Sequence, residues 1–550
     1  MLAIIAIIIF ANIISSFVFT RIDLTTEKRY SLSPTTIDLI KSLDDVVYFK
    51  VYLEGDFPAP FKRLRNATKE MLDEMRAYSN GNIEYAFINP SASSDPQERQ
   101  DIYKQLYERG LQPTDLEERG SEGTSTRIIW PGAIVTYMSN DQSLLLLKQQ
   151  AGAGTEAMLN NSIQNLEYEI ANTLRKLSQQ VKPHIAFVED HGALNQHRVA
   201  DITRELSGYY HVQRIRMDEQ LKSLNGFQAV VIAKPDSAFT EKNKFILDQF
   251  IMRGGKMLWV LDYMSVSMDS LQNAVETMAM GKNLNLDDIL FRYGARINYD
   301  LIQDMKAAPI PVVTGYVANK PQQTLLPWYY FPLLSPASAH PIVKNMNMVK
   351  AEFASSLDTI GIKDVQKTIL LSSSKFSRLL YAPVRVSLNA MREEPNPEQF
   401  NRPYQAVAVL LEGYFSSVFQ NRIPPQIADA QEINFKEKSV LNKMIVISDG
   451  NIIENQIRSS TGNFFPLGYD RYTNTVYGNK NFILNCVDYL LDDTGLISLR
   501  TKEFKLRLLD KPKVDEEKTT WQAINLVAPV ILVLIFGIIK SFIRRKRYAA

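Results

Sequence analysis

The 550-residue sequence contains one cysteine, Cys486. A single cysteine forms no intrachain disulfide and no cysteine-based metal cluster, and the absence of any C-x-x-C pair excludes thiol redox chemistry. So few thiols are compatible with an oxidising compartment. Because Cys486 lies between Leu484, Val487 and Leu490, we expect it to pack inside a helix.

Motifs for nucleotide hydrolysis and for common catalytic sites are also missing. No G-x-x-x-x-G-K-[ST] sequence is present, so nucleotide energy would have to come from another chain. Neither G-x-S-x-G nor H-E-x-x-H occurs, which argues against a serine-hydrolase elbow and a zinc-protease helix. The segment 227–233 resembles the strand that precedes the nucleophilic cysteine of class I amidotransferases, but the turn after it reads Lys-Pro-Asp-Ser.

Charge of either sign is not in excess. The chain has 62 basic and 60 acidic residues, which gives no argument for nucleic-acid binding. A hydrophobic content of 45% describes an ordinary globular chain. Roughly 500 residues lie between two long apolar stretches, enough for two to four domains.

The C-terminal apolar stretch, Ala523–Phe542, is long enough to span a bilayer, for which about 20 residues suffice. Four basic residues follow it: Arg544, Arg545, Lys546 and Arg547. A basic cluster beside a span marks the cytoplasmic side. We therefore predict a membrane helix over 522–543 and a cytoplasmic tail over 544–550.

The N-terminal stretch, Leu2–Phe19, is a second predicted span. It lacks the basic start and the small-residue cleavage site of a signal peptide, which favours an uncleaved anchor over a cleaved one. Two spans with the tail inside place both termini in the cytoplasm and the bulk of the chain in the periplasm of a bacterial inner membrane. The missing basic residue ahead of Leu2 suggests that a few residues precede this start.

The periplasmic part is predicted to be α/β, with two domains. Residues 21–180 show the order β-α-β-α-β-β-α, which is that of a thioredoxin-like layer. Residues 181–499 alternate strands and helices as in a parallel, flavodoxin-like or amidotransferase-like sheet, with strand-rich insertions around 300–440. Three proline-rich stretches, 309–311, 321–341 and 395–403, are predicted to be loops or insertions. Residues 500–521 form a juxtamembrane segment.

Asp190 and His191 form the candidate ligand pocket, which would take a small polar ligand or a metal. Both follow the apolar strand 184–189, and α/β sheets place ligands at the carboxyl ends of their strands. The alternative is a loop in which both side chains make local hydrogen bonds. The aromatic run Trp328–Phe331 likewise allows two interpretations, a binding groove or a strand with one buried face.

Two asparagines fall inside the predicted spans, Asn12 and Asn525. Polar side chains in hydrocarbon usually face another helix and form hydrogen bonds with it. We expect these asparagines to contact each other or a partner's membrane helices, although Asn525 also lies close enough to the end of its span for an interfacial position.

Several segments carry a family resemblance: RIDLTTEKRYSLSP after the first span, RGGKMLWVLD at 253–262, LNLDDILFRYGARIN at 284–298, and the stretch from Gly478 to Asp510. They resemble the auxiliary subunits of bacterial ABC transporters, and among them the gliding-motility-associated GldG family of Bacteroidota. The resemblance implies a substrate-binding-like subunit that acts with a multi-span permease (GldF-like) and a cytoplasmic ATPase (GldA-like). It supplies no binding residues.

These observations favour a non-catalytic transporter subunit without a cofactor. It would couple the permease and the ATPase to periplasmic binding of a substrate or partner, and homodimerisation within the complex stays open. Two alternatives remain. One is a periplasmic enzyme that acts on cell-envelope material through Asp190 and His191. The other is a structural tether of the gliding or secretion apparatus.

Overall fold

The computed structural model describes residues 31–548, except 121–122, 149–153, 180, 273, 318–319, 392–394, 421, 423–433, 459–461, 493–494 and 502–510. The chain separates into two units, Met1–Lys502 and Glu503–Ala550. The predicted N-terminal span Leu2–Phe19, with Asn12, lies outside the described residues.

The first part of the chain forms a mixed four-stranded sheet with helices. Its elements are α1 (Pro34–Lys41), β1 (Val47–Val51), α2 (Ala59–Tyr78), β2 (Ile83–Phe87), α3 (Pro96–Glu108), β3 (Thr114–Gly120), β4 (Gly123–Ile129), β5 (Gly132–Tyr137), β6 (Asn140–Leu145) and α4 (Thr155–Ser178). The sheet order is β2-β1-β5-β6. Strand β1 pairs parallel to β2 and antiparallel to β5.

Buried and partly exposed side chains alternate along β1, and this alternation shows which face of the sheet packs against the core. Val47, Phe49 and Val51 are buried, and they belong to one cluster with the apolar faces of α2 and α4. The sequence predicts one strand over 127–138, but the structure divides it between β4 and β5. Pro131 lies at the break, and its missing N–H cannot extend a strand ladder. The β3–β4 hairpin is therefore an additional, separate two-stranded element.

The second part begins with a parallel α/β segment: β7 (His184–Val188), α5 (Ala200–Ser207), β8 (His211–Ile215), β9 (Ala229–Ala233), α6 (Glu241–Met252) and β10 (Lys256–Val260). A strand-rich segment follows: β11 (Met264–Ser265), α7 (Asp269–Gln272), β12 (Glu276–Gly281), α8 (Asp287–Tyr293), β13 (Ala295–Ile297), β14 (Asp300–Asp304), β15 (Ala307–Val317), β16 (Lys320–Pro336), β17 (Val349–Lys350), β18 (Leu357–Thr359), β19 (Val365–Ser372), β20 (Ser377–Tyr381), β21 (Val384–Ser387) and β22 (Ala406–Gly413). The last elements of this unit are β23 (Asn442–Ile447), β24 (Tyr469–Asp470), β25 (Thr475–Val476) and α9 (Asn479–Leu490).

One large sheet organises this second part. Its parallel strands lie in the order β8-β7-β9-β10-β23, which is the 2-1-3-4-5 order of doubly wound, flavodoxin-like sheets. Strands β22, β19, β16 and β15 extend it beyond β23, starting with an antiparallel pairing of β22 on β23. The segment 443–448 thus rejoins the parallel sheet after the strand-rich segment, as its apolar pattern predicts.

Helices cover both faces of this sheet. Ile185 and Phe187 belong to a core with α5 and α9, whereas Ala186 and Val188 belong to a core with α6 and α8. Alternate residues of one strand therefore serve opposite cores, which is why parallel strands read as continuous apolar runs. Cys486 is buried in the first of these cores, which confirms the prediction that it packs inside a helix.

The prediction of loops at 309–311 and 321–341 is wrong for most of these residues. They form the long hairpin β15–β16, in which Pro309 pairs with Pro327 and Pro311 pairs with Leu325. Proline is tolerated on edge strands and at bulges because no ladder donor is needed there. Strand β15 is the edge of the sheet, and the pairing shifts register between Ala307 and Pro309.

Residues 328–331 lie in β16 and are mostly core residues. Trp328, Tyr330 and Phe331 are buried and pack in one cluster of the strand-rich segment. Tyr329 is half-buried and meets the ring of Phe400 edge-on, with ring centroids 5.9 Å apart. The structure therefore favours the strand interpretation of the aromatic run over a binding groove.

The second unit contains one long helix, α10 (Lys511–Tyr548). Within the described part of the chain, Glu517–Arg544 is the one helical stretch long and apolar enough to cross a membrane. The helix begins before the predicted limit at 522, so the second half of the predicted juxtamembrane segment is helical. A 3-10 helix, Leu496–Thr501, leads into the first half, of which residues 502–510 lie outside the described residues.

Candidate functional site

Charged side chains follow three neighbouring strands of the parallel sheet at their carboxyl ends. Lys234 comes directly after β9, while Asp262 and Asp449 come two residues after β10 and β23. Doubly wound sheets bind ligands at this edge. We call Lys234, Asp262, Asp449, Lys350, Glu352 and Glu454 the carboxyl-edge cluster.

Lys234 is the central cation of the carboxyl-edge cluster. Its Nζ lies 2.7 Å from Oε2 of Glu454 and 3.7 Å from Oδ2 of Asp262, and it also donates to Asn451. Burial by itself lowers the pKa of Lys234, but the carboxylates of Asp262 and Glu454 outweigh burial and raise the pKa above its ordinary value. The ammonium group therefore stays charged.

The backbone at this point is held in a demanding conformation. Lys234 has a φ of 52°, a left-handed conformation that is costly for a residue with a Cβ. Gly450 lies against it, since a Cβ at that position would lie 2.4 Å from Cγ of Lys234. Residual strain of this kind is most often kept at functional positions.

Two buried carboxyl groups lie behind Lys234. Oδ1 and Oδ2 of Asp449 accept hydrogen bonds from the backbone N–H groups of Asn451 (2.8 Å) and Glu352 (2.7 Å), and Asp262 accepts from the N–H of Gly450. Burial raises the pKa of both groups. For Asp449 the neighbouring Asp262 charge raises the pKa further.

Lys350 is the second cation of the carboxyl-edge cluster. Its Nζ lies 3.1 Å from Oε1 of Glu352 and 3.3 Å from Oδ2 of Asp470, and 5.0 Å from the ring centroid of Phe331. Burial would raise the pKa of Glu352, but Lys350 and a hydrogen bond from Asn451 lower it below its usual value. Glu454 also pairs with Arg198. The cluster is thus a network of compensated charges.

A cavity of about 400 Å³ opens beside the carboxyl-edge cluster. Its lining is polar and includes cations, carboxylates and amides in similar numbers: Arg198, Lys234, Lys350, Arg471, Asp269, Glu352, Glu454, Asn451, Asn455, Gln456 and Asn479. The wall of the cavity therefore carries nearly balanced charge. Oε1 of Gln456 is buried and accepts no hydrogen bond from the described residues.

Asp190 and His191 lie at the same edge of the sheet, after β7, but do not line this cavity. Oδ2 of Asp190 accepts from the N–H of Met217. The His191 ring nitrogens are 3.1 Å from the carbonyl oxygen of Ala238 and 2.9 Å from Nδ2 of Asn243. Burial lowers the pKa of His191, which favours the neutral ring.

The backbone of His191 links two loops at the position where the strand order of the sheet reverses, between β7 and β9. Its carbonyl oxygen accepts from the N–H groups of Asp236 (2.7 Å) and Ser237 (3.0 Å). This contact joins the two loops that follow the strands. In the structure, Asp190 and His191 therefore form hydrogen bonds that connect neighbouring loops. Their role in a ligand pocket stays a prediction.

A second cleft, of about 670 Å³, lies elsewhere in the same unit. It is lined mainly by apolar side chains of α8, β13 and neighbouring loops, among them Phe291, Ile297, Ile360 and Ile362. Four charged residues also line it, Asp287, Asp288, Arg292 and Arg296. None of its lining residues follows a parallel strand at the carboxyl end of the sheet, where doubly wound folds bind ligands, so the smaller cavity is the better candidate. No group of three or more potential metal ligands occurs among the described residues.

The sequence contains a pattern that indicates part of the carboxyl-edge cluster, although it belongs to none of the catalytic motifs. Three apolar strands, AVVIA, KMLWV and NKMIVI, are each followed within two residues by a charge. Glu352 and Lys350 come from the strand-rich segment, about 100 residues earlier in the chain than Asp449, and no local pattern places them there. The predicted Asp190 and His191 identify the correct edge but a different loop.

The apolar helix α10 contains the other predicted residues that the structure describes. Asn525 is exposed within the apolar part of α10, and Arg544 and Lys546 are exposed at its end. Arg545 and Arg547 are part of the same helix. Near the start of the apolar part, Nε1 of Trp521 donates to Oε2 of Glu517 at 3.0 Å.

Comparison with known proteins adds two family matches. Residues 182–486 match a family model described as an ABC-type uncharacterized transport system, and residues 26–136 match a domain of unknown function, DUF7088. The first match covers more than half of the chain. It spans the whole parallel sheet and the carboxyl-edge cluster.

Two individual proteins are similar to this chain. An uncharacterised protein of Borreliella burgdorferi is 22% identical over 558 residues, covering 98% of this chain and 96% of the relative. A solved structure described as the mmIFT52 N-terminal domain aligns with 13% identity and a TM-score of 0.32, over 56% of this chain and 98% of that chain. A TM-score this low supports no conclusion about fold or function.

Proposed function

We propose, because the chain belongs to the family described as an ABC-type uncharacterized transport system, that it is a membrane-anchored auxiliary subunit of a bacterial ABC transporter. The family match over residues 182–486 is the observation that carries this proposal. The apolar helix at Glu517–Arg544 supports a membrane location. An accessory role also agrees with the absence of a nucleotide-binding loop from the sequence.

The proposed topology has two passes, with Leu2–Phe19 and α10 in the inner membrane. The α/β part lies in the periplasm and both termini lie in the cytoplasm. The basic cluster that follows the apolar part of α10 supports this orientation through the positive-inside rule. A multi-span permease (GldF-like) and a cytoplasmic ATPase (GldA-like) are the proposed partners, and gliding motility of the GldG type is the proposed cellular process.

In this proposal the cavity beside the carboxyl-edge cluster binds a small polar ligand of little net charge. Its cations and carboxylates already compensate one another, so a strongly charged ligand would upset the balance. The volume of about 400 Å³ lies within the ordinary range of small-molecule sites. The amide side chains of Asn451, Asn455, Gln456 and Asn479 in the lining supply hydrogen bonds to such a ligand.

The test is purification of the tagged full-length protein from native membranes in a mild detergent. We expect a multi-span permease and an ATPase to co-purify in fixed ratio with it. Recovery of neither partner, from membranes in which both are expressed, would contradict the proposal and leave the tether or the enzyme as the better hypothesis.

A further inference from the structure

The two lysines that line the cavity beside the carboxyl-edge cluster, Lys234 and Lys350, are already paired with carboxylates. The Nζ atom of each lies within 3.7 Å of two carboxylates, Asp262 and Glu454 for the first and Glu352 and Asp470 for the second. An ammonium group donates three hydrogen bonds at most, and Lys234 also donates to Asn451. These lysines therefore have little capacity left for a ligand.

The carboxylates in the lining are also paired. Their partners are Lys234 and Arg198 for Glu454, and Lys350 and Asn451 for Glu352. Asp269, the third carboxylate of the lining, is exposed and also interacts with a neighbouring group. A cationic group of a ligand would therefore meet carboxylates whose charge is compensated, and it would lie close to the cations that compensate them.

The two arginines of the lining, Arg198 and Arg471, have donors to spare. A guanidinium group carries five N–H donors in a rigid fork. Arg198 uses Nη1 for Glu454. Arg471 uses Nη2 for the hydroxyl oxygen of Tyr472, and its guanidinium lies 4.7 Å from the centroid of that ring. Within the described part of the chain, neither arginine forms another side-chain hydrogen bond. The cations of the cavity that can still bind an anion are thus the arginines.

The charge of the lining favours one kind of anion. Four cations and three carboxylates line the cavity, and the carboxylates of Asp262 and Asp470 lie behind the two lysines. This arrangement accommodates one negative charge beside the arginines. A phosphate monoester carries a charge of about −1.5 to −2 at neutral pH and would bring an excess. A carboxylate brings one charge and matches the two parallel donors of a guanidinium.

We propose that the ligand of this cavity is a small hydroxy acid, whose single carboxylate binds to Arg471 and Arg198. This inference rests on the proposed function, which assigns a small polar ligand to the cavity. The hydroxyl groups of the ligand donate to lone pairs that remain on the carboxylate and amide oxygens of the lining. An amino acid fits less well, because its ammonium group would lie beside carboxylates that already have their cations.

The experiment is calorimetric titration of the tagged full-length protein in mild detergent with four compounds that share one carbon chain. D-Gluconate carries the carboxylate, and D-glucitol has a hydroxyl group in its place. D-Glucitol 6-phosphate carries a phosphate, and D-glucosaminate has an ammonium group in place of one hydroxyl group of gluconate. We expect gluconate to bind roughly tenfold more tightly than each of the other three, because a charge-assisted hydrogen bond is lost or a charge is misplaced in each.

Three arginine variants test the residues that bind the carboxylate. Arg471→Gln should weaken gluconate binding roughly tenfold and leave the binding of glucitol unchanged, and Arg198→Gln should act in the same direction. Arg458→Gln is the matched control, because Arg458 does not line the cavity and its guanidinium lies 4.9 Å from the ring centroid of Phe465. The control should bind gluconate as the unaltered protein does.

Equal affinity for gluconate and glucitol, or tighter binding of the phosphate or of glucosaminate, would overturn the assignment of a hydroxy acid. So would failure of gluconate and of the shorter hydroxy acids glycerate and lactate to bind. Equal gluconate affinity in Arg471→Gln and Arg458→Gln would contradict the role of the arginine. Permease and ATPase are measured in the same preparation. Their absence beside intact gluconate binding would refute only the transporter role, and their presence without gluconate binding would refute only the hydroxy acid.

Discussion

At the scale of single residues, a substitution of Gln456 should affect ligand binding without lowering the stability of the fold. Gln456→Leu removes a buried acceptor that has no partner, so we expect the free energy of unfolding to stay unchanged or to rise by about 1 kcal/mol. The same change removes the polar side chain of Gln456 from the lining of the cavity. Thermal unfolding and complementation of a strain lacking the gene would measure the two effects.

Lys234→Met is the contrasting variant for that experiment. It removes the cation that contacts Asp262, whose side chain is 11% exposed, and leaves Glu454, 10% exposed, with Arg198 alone. We expect it to lower the free energy of unfolding by about 3 kcal/mol. Full complementation by Gln456→Leu would show that the Gln456 side chain is not needed for binding in the cavity.

His340 provides a prediction about pH. Burial, with a smaller effect of Lys443, lowers its pKa from 6.5 to about 4. As the pH falls below about 6.5 the unfolded chain takes up a proton that the folded chain does not accept until about pH 4. The stability conferred by the neutral ring is therefore present above pH 6.5 and is progressively lost towards pH 4, by about 3 kcal/mol at most.

His340→Asn should flatten this part of the pH dependence. The substituted oxygen can replace Nδ1 of His340 as the acceptor for the N–H of Ile342. His197→Asn, at an exposed position, serves as the control and should follow the unaltered protein. Denaturant unfolding between pH 4 and pH 7 measures the difference, and parallel curves for all three proteins would contradict the assignment.

At the scale of elements, the edge strand β15 carries prolines where a regular strand would expose donors. Pro309 and Pro311 are two residues apart, so their backbone nitrogens face the same side of the strand. The outer edge of the sheet therefore has two fewer N–H groups. Natural sheets use edge prolines against pairing with other chains. We expect Pro309→Thr combined with Pro311→Thr to increase self-association, seen as a rise in mass by light scattering.

Val313→Thr is the matched control for that variant. It alters an exposed side chain of the same strand without adding a backbone N–H group. A double proline variant that stays at the same mass as this control over a tenfold concentration range would show that the prolines do not protect the edge.

At the scale of the whole molecule, the single buried cysteine permits a direct test of topology. Cys486 is fully buried, so it should not react with a membrane-impermeant maleimide. We expect Tyr381→Cys, at a side chain that is 65% exposed, to be labelled in intact spheroplasts. Lys546→Cys should be labelled only after the membrane is permeabilised.

The unaltered protein gives the background for this labelling. Labelling of Lys546→Cys in intact spheroplasts, or protection of Tyr381→Cys, would contradict the proposed orientation. The result is independent of the permease, because it follows from the basic cluster after the apolar part of α10.

The sequence by itself determined the elements whose patterns are local. The apolar runs at β7, β9, β10 and β23 and the amphipathic helices α2 and α4 are predictable, because burial of a face imposes a period that short segments display. The long apolar helix α10 is predictable from its length and composition. Local rules failed where context overrides them. The prolines of β15 and β16 indicate loops by themselves, and only the position at the sheet edge makes them compatible with strands.

The tertiary structure alone decided which charges meet. Lys234 and Asp449 are brought together from positions more than 200 residues apart in sequence, because the strand order of the large sheet places β9, β10 and β23 side by side. Lys350 joins them from the strand-rich segment between. The tertiary structure also turned Asp190 and His191 towards neighbouring loops. The periodicity of a segment shows which of its residues are buried. Strand pairing decides which loops lie next to one another at the edge of the sheet, and the cavity is formed by such neighbouring loops.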